Sequence, residues 1–70
     1  MDWIDVKNER PCVGEKYKYM FLDEGEKIFL GYVKRINMRN RVLCMDTETK
    51  TNKVAKKWIL VEEAREEEKV

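Results

Sequence analysis

The chain has no histidine, no serine and no glutamine among its 70 residues, and only one proline, three glycines and two cysteines. Without histidine there is no Ser-His or Cys-His relay and no imidazole to hold a metal. Cys12 and Cys44 stand 32 positions apart with no histidine between them, a poor zinc site. Nor are two cysteines a disulfide framework, so both are expected to be reduced, with Cys44 a small core residue. No apolar run approaches the roughly 18 residues of a membrane span. The opening Met1-Asp2-Trp3-Ile4-Asp5 is acidic and lacks the apolar stretch of a signal peptide, so the expected location is cytoplasmic. These gaps set the expectation of a protein that is not an enzyme, carries no cofactor and has no membrane partner.

What is present points to one small β-domain. An apolar content of 43% with 10% aromatics supports a core, and 41% charged residues support solubility. At this length the margin of stability is small. One phrase occurs near both ends: Trp3-Ile4-Asp5-Val6 with Arg10, and Trp58-Ile59-Leu60-Val61 with Arg65. These hold the only two tryptophans. Bulky, β-favouring segments at opposite ends predict terminal strands that meet and close the domain.

Between them the alternation of apolar side chains predicts three more strands. Residues 16–22 place Tyr17, Tyr19 and Phe21 on one face and Lys18, Met20 and Leu22 on the other. Residues 27–36 alternate Ile28, Leu30 and Tyr32 with Phe29, Gly31 and Val33, and a mid-strand glycine predicts a bend or bulge. Residues 41–47 oppose Val42 and Cys44 to Leu43 and Met45. The turns fall at Asp23–Glu26, with Gly25 available for a left-handed residue, at Asn37–Asn40 and at Glu48–Asn52. The last strand, 53–61, ends in four apolar residues, which fits a strand covered on both faces. The domain is expected to span 1–61. Residues 62–70, rich in Glu, read as an acidic C-terminal helix or a flexible tail.

The net charge of +1 hides a segregation. Residues 34–57 carry eight bases against two acids, while both flanks are net acidic. The basic segment supplies the candidate partner-binding residues Arg39, Arg41, Lys50, Lys53, Lys56 and Lys57, which suit a phosphate backbone or an acidic protein surface. The plainer reading is solvated turns and edges. Strand parity sets Lys34 against Arg35 and Lys56 against Lys57, so a ridge from Arg39 and Arg41 to Lys50 and Lys53 is expected rather than one flat patch. Tyr17 and Tyr32 add aromatic rings for stacking or cation contact, although at this chain length the stripe at Tyr17, Tyr19 and Phe21 reads first as core. Asp23, Glu24 and Glu26 share a turn and read as solvated. Cys12, beside Pro11 in a loop, reads as an inert thiol.

Two resemblances cover these residues. Trp3-Ile4-Asp5-Val6, then Pro11 and Gly14, then the strand centred on Trp58-Ile59-Leu60-Val61, resembles a family of small phage and prophage proteins of unassigned function, across residues 3–64. The chain departs from that pattern at Arg10, where a leucine is usual before the proline, and lacks prolines after the closing Trp. The middle, with Val13-Gly14-Glu15, Tyr17 to Phe21, Phe29-Leu30-Gly31-Tyr32-Val33 and Val42 to Asp46, looks like a Tudor-type SH3-like barrel, without a complete aromatic cage.

The expected fold is therefore mainly β: a small antiparallel five-stranded SH3-like barrel or curled sheet with a short C-terminal helix or tail. The expected function is a non-enzymatic binding module. The phage resemblance implies an accessory protein that docks on and modulates a host protein; the sequence leaves monomer and homodimer both open. The alternatives are nucleic-acid binding through the basic 34–57 region, and oligomeric sequestration of a small anionic ligand.

Overall fold

The computed structural model describes residues 2–63. Five antiparallel strands form one sheet: β1 (Ile4–Asp5), β2 (Gly14–Asp23), β3 (Ile28–Ile36), β4 (Val42–Asp46) and β5 (Thr51–Glu63). Their order is β1-β5-β2-β3-β4, and a further pairing of β4 with β5 closes the sheet on itself. The small β-barrel or curled sheet expected from the sequence is thus present. Closure removes most of the free edge that an open sheet would expose.

The long strand β5 makes closure possible. Its first residues, Thr51 to Ala55, pair with β4, and Lys57 and Trp58 pair with β1. Along its other edge, Ala55 to Glu63 pair with β2. The terminal phrases do meet, with Ile4 opposite Trp58. The first strand is only two residues long, because Asp5 accepts backbone N–H groups from Asn8 and Glu9 and turns the chain away.

Bulges supply the curvature. On β5 one residue, Lys56, is inserted between the pairs Leu22–Lys57 and Asp23–Ala55. Ala55 and Trp58, three positions apart, consequently both face the core. The same residue marks the hand-over from β4 to β1, since Val6 N–H donates to the Lys56 carbonyl at 3.1 Å. On β3 the inserted residue is Lys34, between the pairs Val33–Cys44 and Arg35–Leu43. The sequence placed the irregularity at Gly31. That glycine serves a different need: a Cβ there would lie 1.8 Å from the Met45 carbonyl oxygen on β4.

The core is aromatic at its centre. Tyr19, Phe21, Phe29 and Trp58 are buried with Val6, Val33, Val42, Cys44 and Ala55. Tyr19 meets Trp58 edge-on at 5.2 Å and 82°, and Phe21 lies 5.0 Å from Phe29. Tyr17, Ile4 and Ile36 pack against this cluster from its margin. The stripe at Tyr17, Tyr19 and Phe21 is therefore core, as its plainer reading held. Replacing Phe21 by alanine would cost about 3–5 kcal/mol on the usual scale for a buried ring. The polar tips are satisfied: the Tyr19 hydroxyl accepts the Cys12 N–H at 2.7 Å, and the Trp58 indole N–H donates to the Glu9 carbonyl at 2.9 Å. These two bonds fasten the loop between β1 and β2 over the core.

The run Trp58 to Val61 is not covered on both faces. Leu60 is 46% exposed and Val61 56% exposed. The strand has β2 on one side there, but its other neighbour β1 ends at the Ile4–Trp58 pair, so β5 continues past the rim. It extends through Glu63, two residues beyond the expected boundary at 61. The remainder of the expected C-terminal helix or tail, from residue 64, lies outside the described residues. Among the described residues no helix is long and apolar enough to cross a membrane.

Candidate functional site

Three hairpin turns share one construction, and they position the charged side chains. Each opens on Asp or Asn whose carboxylate or amide oxygen accepts backbone N–H groups of the turn. Asp23 Oδ1 accepts from Gly25 and Lys27, both at 2.9 Å. Asn37 Oδ1 accepts from Arg39 at 2.9 Å and Arg41 at 3.0 Å. Asp46 Oδ1 accepts from Glu48 at 2.9 Å and Thr49 at 3.2 Å. Each turn ends on a left-handed residue: Glu26 (φ 64°), Asn40 (φ 60°) and Lys50 (φ 60°). Gly25 was expected to take that conformation in the first turn, but Glu26 does so instead.

The turns distribute the basic residues unevenly. Arg39 and Arg41 flank Asn40 at one end of the β3–β4 hairpin. There they meet Lys56, on the β5 bulge, and Lys7, just after β1, around an open cleft of about 590 Å³. Val6, Val54 and Ala55 also line it. Among the described residues Glu24 is the single carboxylate in the lining, 3.8 Å from the Arg41 guanidinium. Both members of that pair are well exposed, so the bond between them is weak. The Asn40 Oδ1 in this wall is buried without a hydrogen-bond partner.

The other predicted residues lie elsewhere. Lys50 ends the β4–β5 turn, at the opposite end of β4 from Arg41. About 13 Å of strand separates the two, at 3.3 Å per residue. The ridge expected from Arg39 to Lys53 is thereby split. Lys53 is engaged internally: its ammonium sits 2.7 Å from Asp46 Oδ2 and 5.2 Å from the centre of the Phe29 ring. The hydrogen bond from Lys53 is the main reason the Asp46 carboxyl is held down to about 2, with backbone N–H groups adding to it against the opposing effect of burial. Lys57 stands opposite Leu22 on the outside of the sheet. Tyr17 packs at the core margin with Lys16 Nζ 5.7 Å from its ring centre. Tyr32 pairs with Met45 and lines a smaller groove of about 220 Å³ with Leu30 and Val61. Neither tyrosine lines the basic cleft.

A second surface lies on the outer wall. Residues directly opposite one another in antiparallel strands point to the same side. Phe21 pairs with both Phe29 and Trp58, and all three point inward. The next rungs therefore point outward: Ile59–Met20–Leu30 and Lys57–Leu22–Ile28, continued by Tyr32 with Met45. Ile28 is 59% exposed and Leu30 45% exposed. An apolar band thus crosses β5, β2, β3 and β4 on the solvent side. Sequence reasoning passed over it, although its signal was present: β2 and β3 are apolar on both faces, and a domain this small has core for only one.

Burial pushes the Cys44 thiol up to about 12, whereas Cys12 is exposed. Burial likewise raises Tyr19 to about 12. Among the described residues no three Cys, Asp or Glu side chains gather as a metal-ligand cluster. No protein-family model matches the chain, and neither does any curated protein or any solved structure.

Proposed function

We propose that the chain is a non-enzymatic binding module that docks on another protein through the outer apolar band of β5, β2 and β3. The observation that carries this reading is the pair of outward rungs Ile59–Met20–Leu30 and Lys57–Leu22–Ile28. Contiguous apolar surface, rimmed here by Lys18 and Lys57, marks protein interfaces more often than nucleic-acid ones. The resemblance of Trp3-Ile4-Asp5-Val6 and Trp58-Ile59-Leu60-Val61 to small phage proteins supplies the partner class, a host protein met in the cytoplasm.

Nucleic-acid binding by the basic segment is the weaker reading, because neither Tyr17 nor Tyr32 lines the cleft that holds Arg39, Arg41 and Lys56, which leaves no ring there for a base to stack on. Affinity capture from host lysate, with and without nuclease, tests the choice. The docking reading expects one defined protein to be retained after nuclease treatment. Retention of nucleic acid alone would overturn it.

A further inference from the structure

We propose that the cleft between Lys7, the Arg39–Arg41 turn and Lys56 is a binding site for a compact, multiply charged phosphate-bearing small molecule. It shares no residue with the outer apolar band and stands or falls independently of it.

Three segments far apart in sequence deliver four cations to one cleft. The turn after β1 brings Lys7, the β3–β4 turn brings Arg39 and Arg41, and the β5 bulge brings Lys56. Among the described residues Glu24 is the one acid that lines it. Like charges gathered on a wall repel one another unless an anion joins them. The two guanidinium groups offer paired N–H donors that match phosphate oxygens. The Asn40 Oδ1 in the same wall is buried without a hydrogen-bond partner.

Size and lining narrow the ligand. About 590 Å³ exceeds what one phosphate fills and falls within the range of small-molecule sites. No aromatic ring lines the cleft, so a nucleobase finds nothing to stack on. Phosphate groups, rather than a base or a single strand, are what the lining recognises.

Titration of the 15N-labelled protein with tripolyphosphate at low salt and neutral pH tests this. The expected result is saturable shifts confined to the amides of Lys7, Arg39 to Arg41 and Lys56. The Arg39→Ala/Lys56→Ala double variant should bind about ten-fold more weakly, and Glu24→Gln about two- to five-fold more tightly. Both changes sit on exposed side chains, and the spectrum of each variant shows whether the fold is kept. Shifts spread over Lys16, Lys18 and Lys27, failure to saturate, or unchanged affinity in the double variant would overturn the assignment. So would a single-stranded DNA oligomer binding the same amides more tightly than tripolyphosphate, since the ligand would then be a strand.

Discussion

Replacing Gly31 by alanine should break the barrel where it closes. An added Cβ would lie 1.8 Å from the Met45 carbonyl oxygen and 2.9 Å from its carbon, against 3.4 Å or more in ordinary contact. Both are backbone atoms of β4, so no side-chain rotation relieves the overlap. The strand must retreat by more than an ångström. The rung from Thr47 N–H to the Leu30 carbonyl, now 3.0 Å, is lost with it. Overpacking costs about 1–3 kcal/mol, and each lost hydrogen bond about 0.5–1.5 kcal/mol. A total near 3 kcal/mol or more is a large part of the roughly 3.5–10 kcal/mol available to a domain of this size. In a thermal melt followed by circular dichroism, Tm should fall by roughly 12–24 °C. The other glycines calibrate the result. Gly25→Ala meets only Asp23 Oδ1 at 3.5 Å and should change stability by less than about 0.5 kcal/mol. Gly14→Ala has open space but φ of 128°, and should cost about 1–3 kcal/mol from backbone strain alone. If Gly31→Ala proves no worse than Gly25→Ala, the close approach of β3 to β4 is wrong.

Other consequences follow from single groups. Asp46 sits at about 2 when folded and near 3.8 when free, so its contribution is complete above pH 4 and lost as pH falls toward 2. Urea midpoints should accordingly show the gap between wild type and Asp46→Asn closing over that interval, and a gap independent of pH would contradict the ion pair with Lys53. Glu26→Gly and Lys50→Gly remove left-handed strain and should each stabilise by about 0.5–1 kcal/mol, read from the same midpoints. A thiol reagent should reach Cys12 in the native protein, at the rate of an ordinary thiol, and Cys44 only on unfolding, because burial shields the Cys44 thiol and holds it protonated up to about 12.

The strands were legible because alternation is a local signal. Tyr19 and Phe21, Phe29 and Val33, Val42 and Cys44 each fall on the inward side that their spacing implies. The meeting of the two Trp-Ile phrases was legible because both segments carry β-favouring bulk that has to be buried. What the sequence hid was where parity breaks. Bulges at Lys34 and Lys56 shift the inward phase by one residue, and no residue type announces them. The left-handed turn residue was misplaced because Asp23 dictates the turn through its side chain, which moves positive φ from Gly25 to Glu26. The cleft was half legible. Arg39, Arg41 and Lys56 were visible as a basic run, but Lys7 joins them only through β1 pairing beside the β5 bulge, and Lys50 and Lys53 are directed elsewhere.

The central claim is that the outer band of β2 and β3 is a docking surface, and the Ile28→Glu/Leu30→Glu double variant tests it most directly. Both side chains point to solvent, so the variant should melt within a few degrees of wild type. Quantified capture from nuclease-treated host lysate should then show the protein retained by wild type reduced by about ten-fold or more in the variant, as expected for charges placed at an apolar contact. Equal retention by a folded variant would contradict the account.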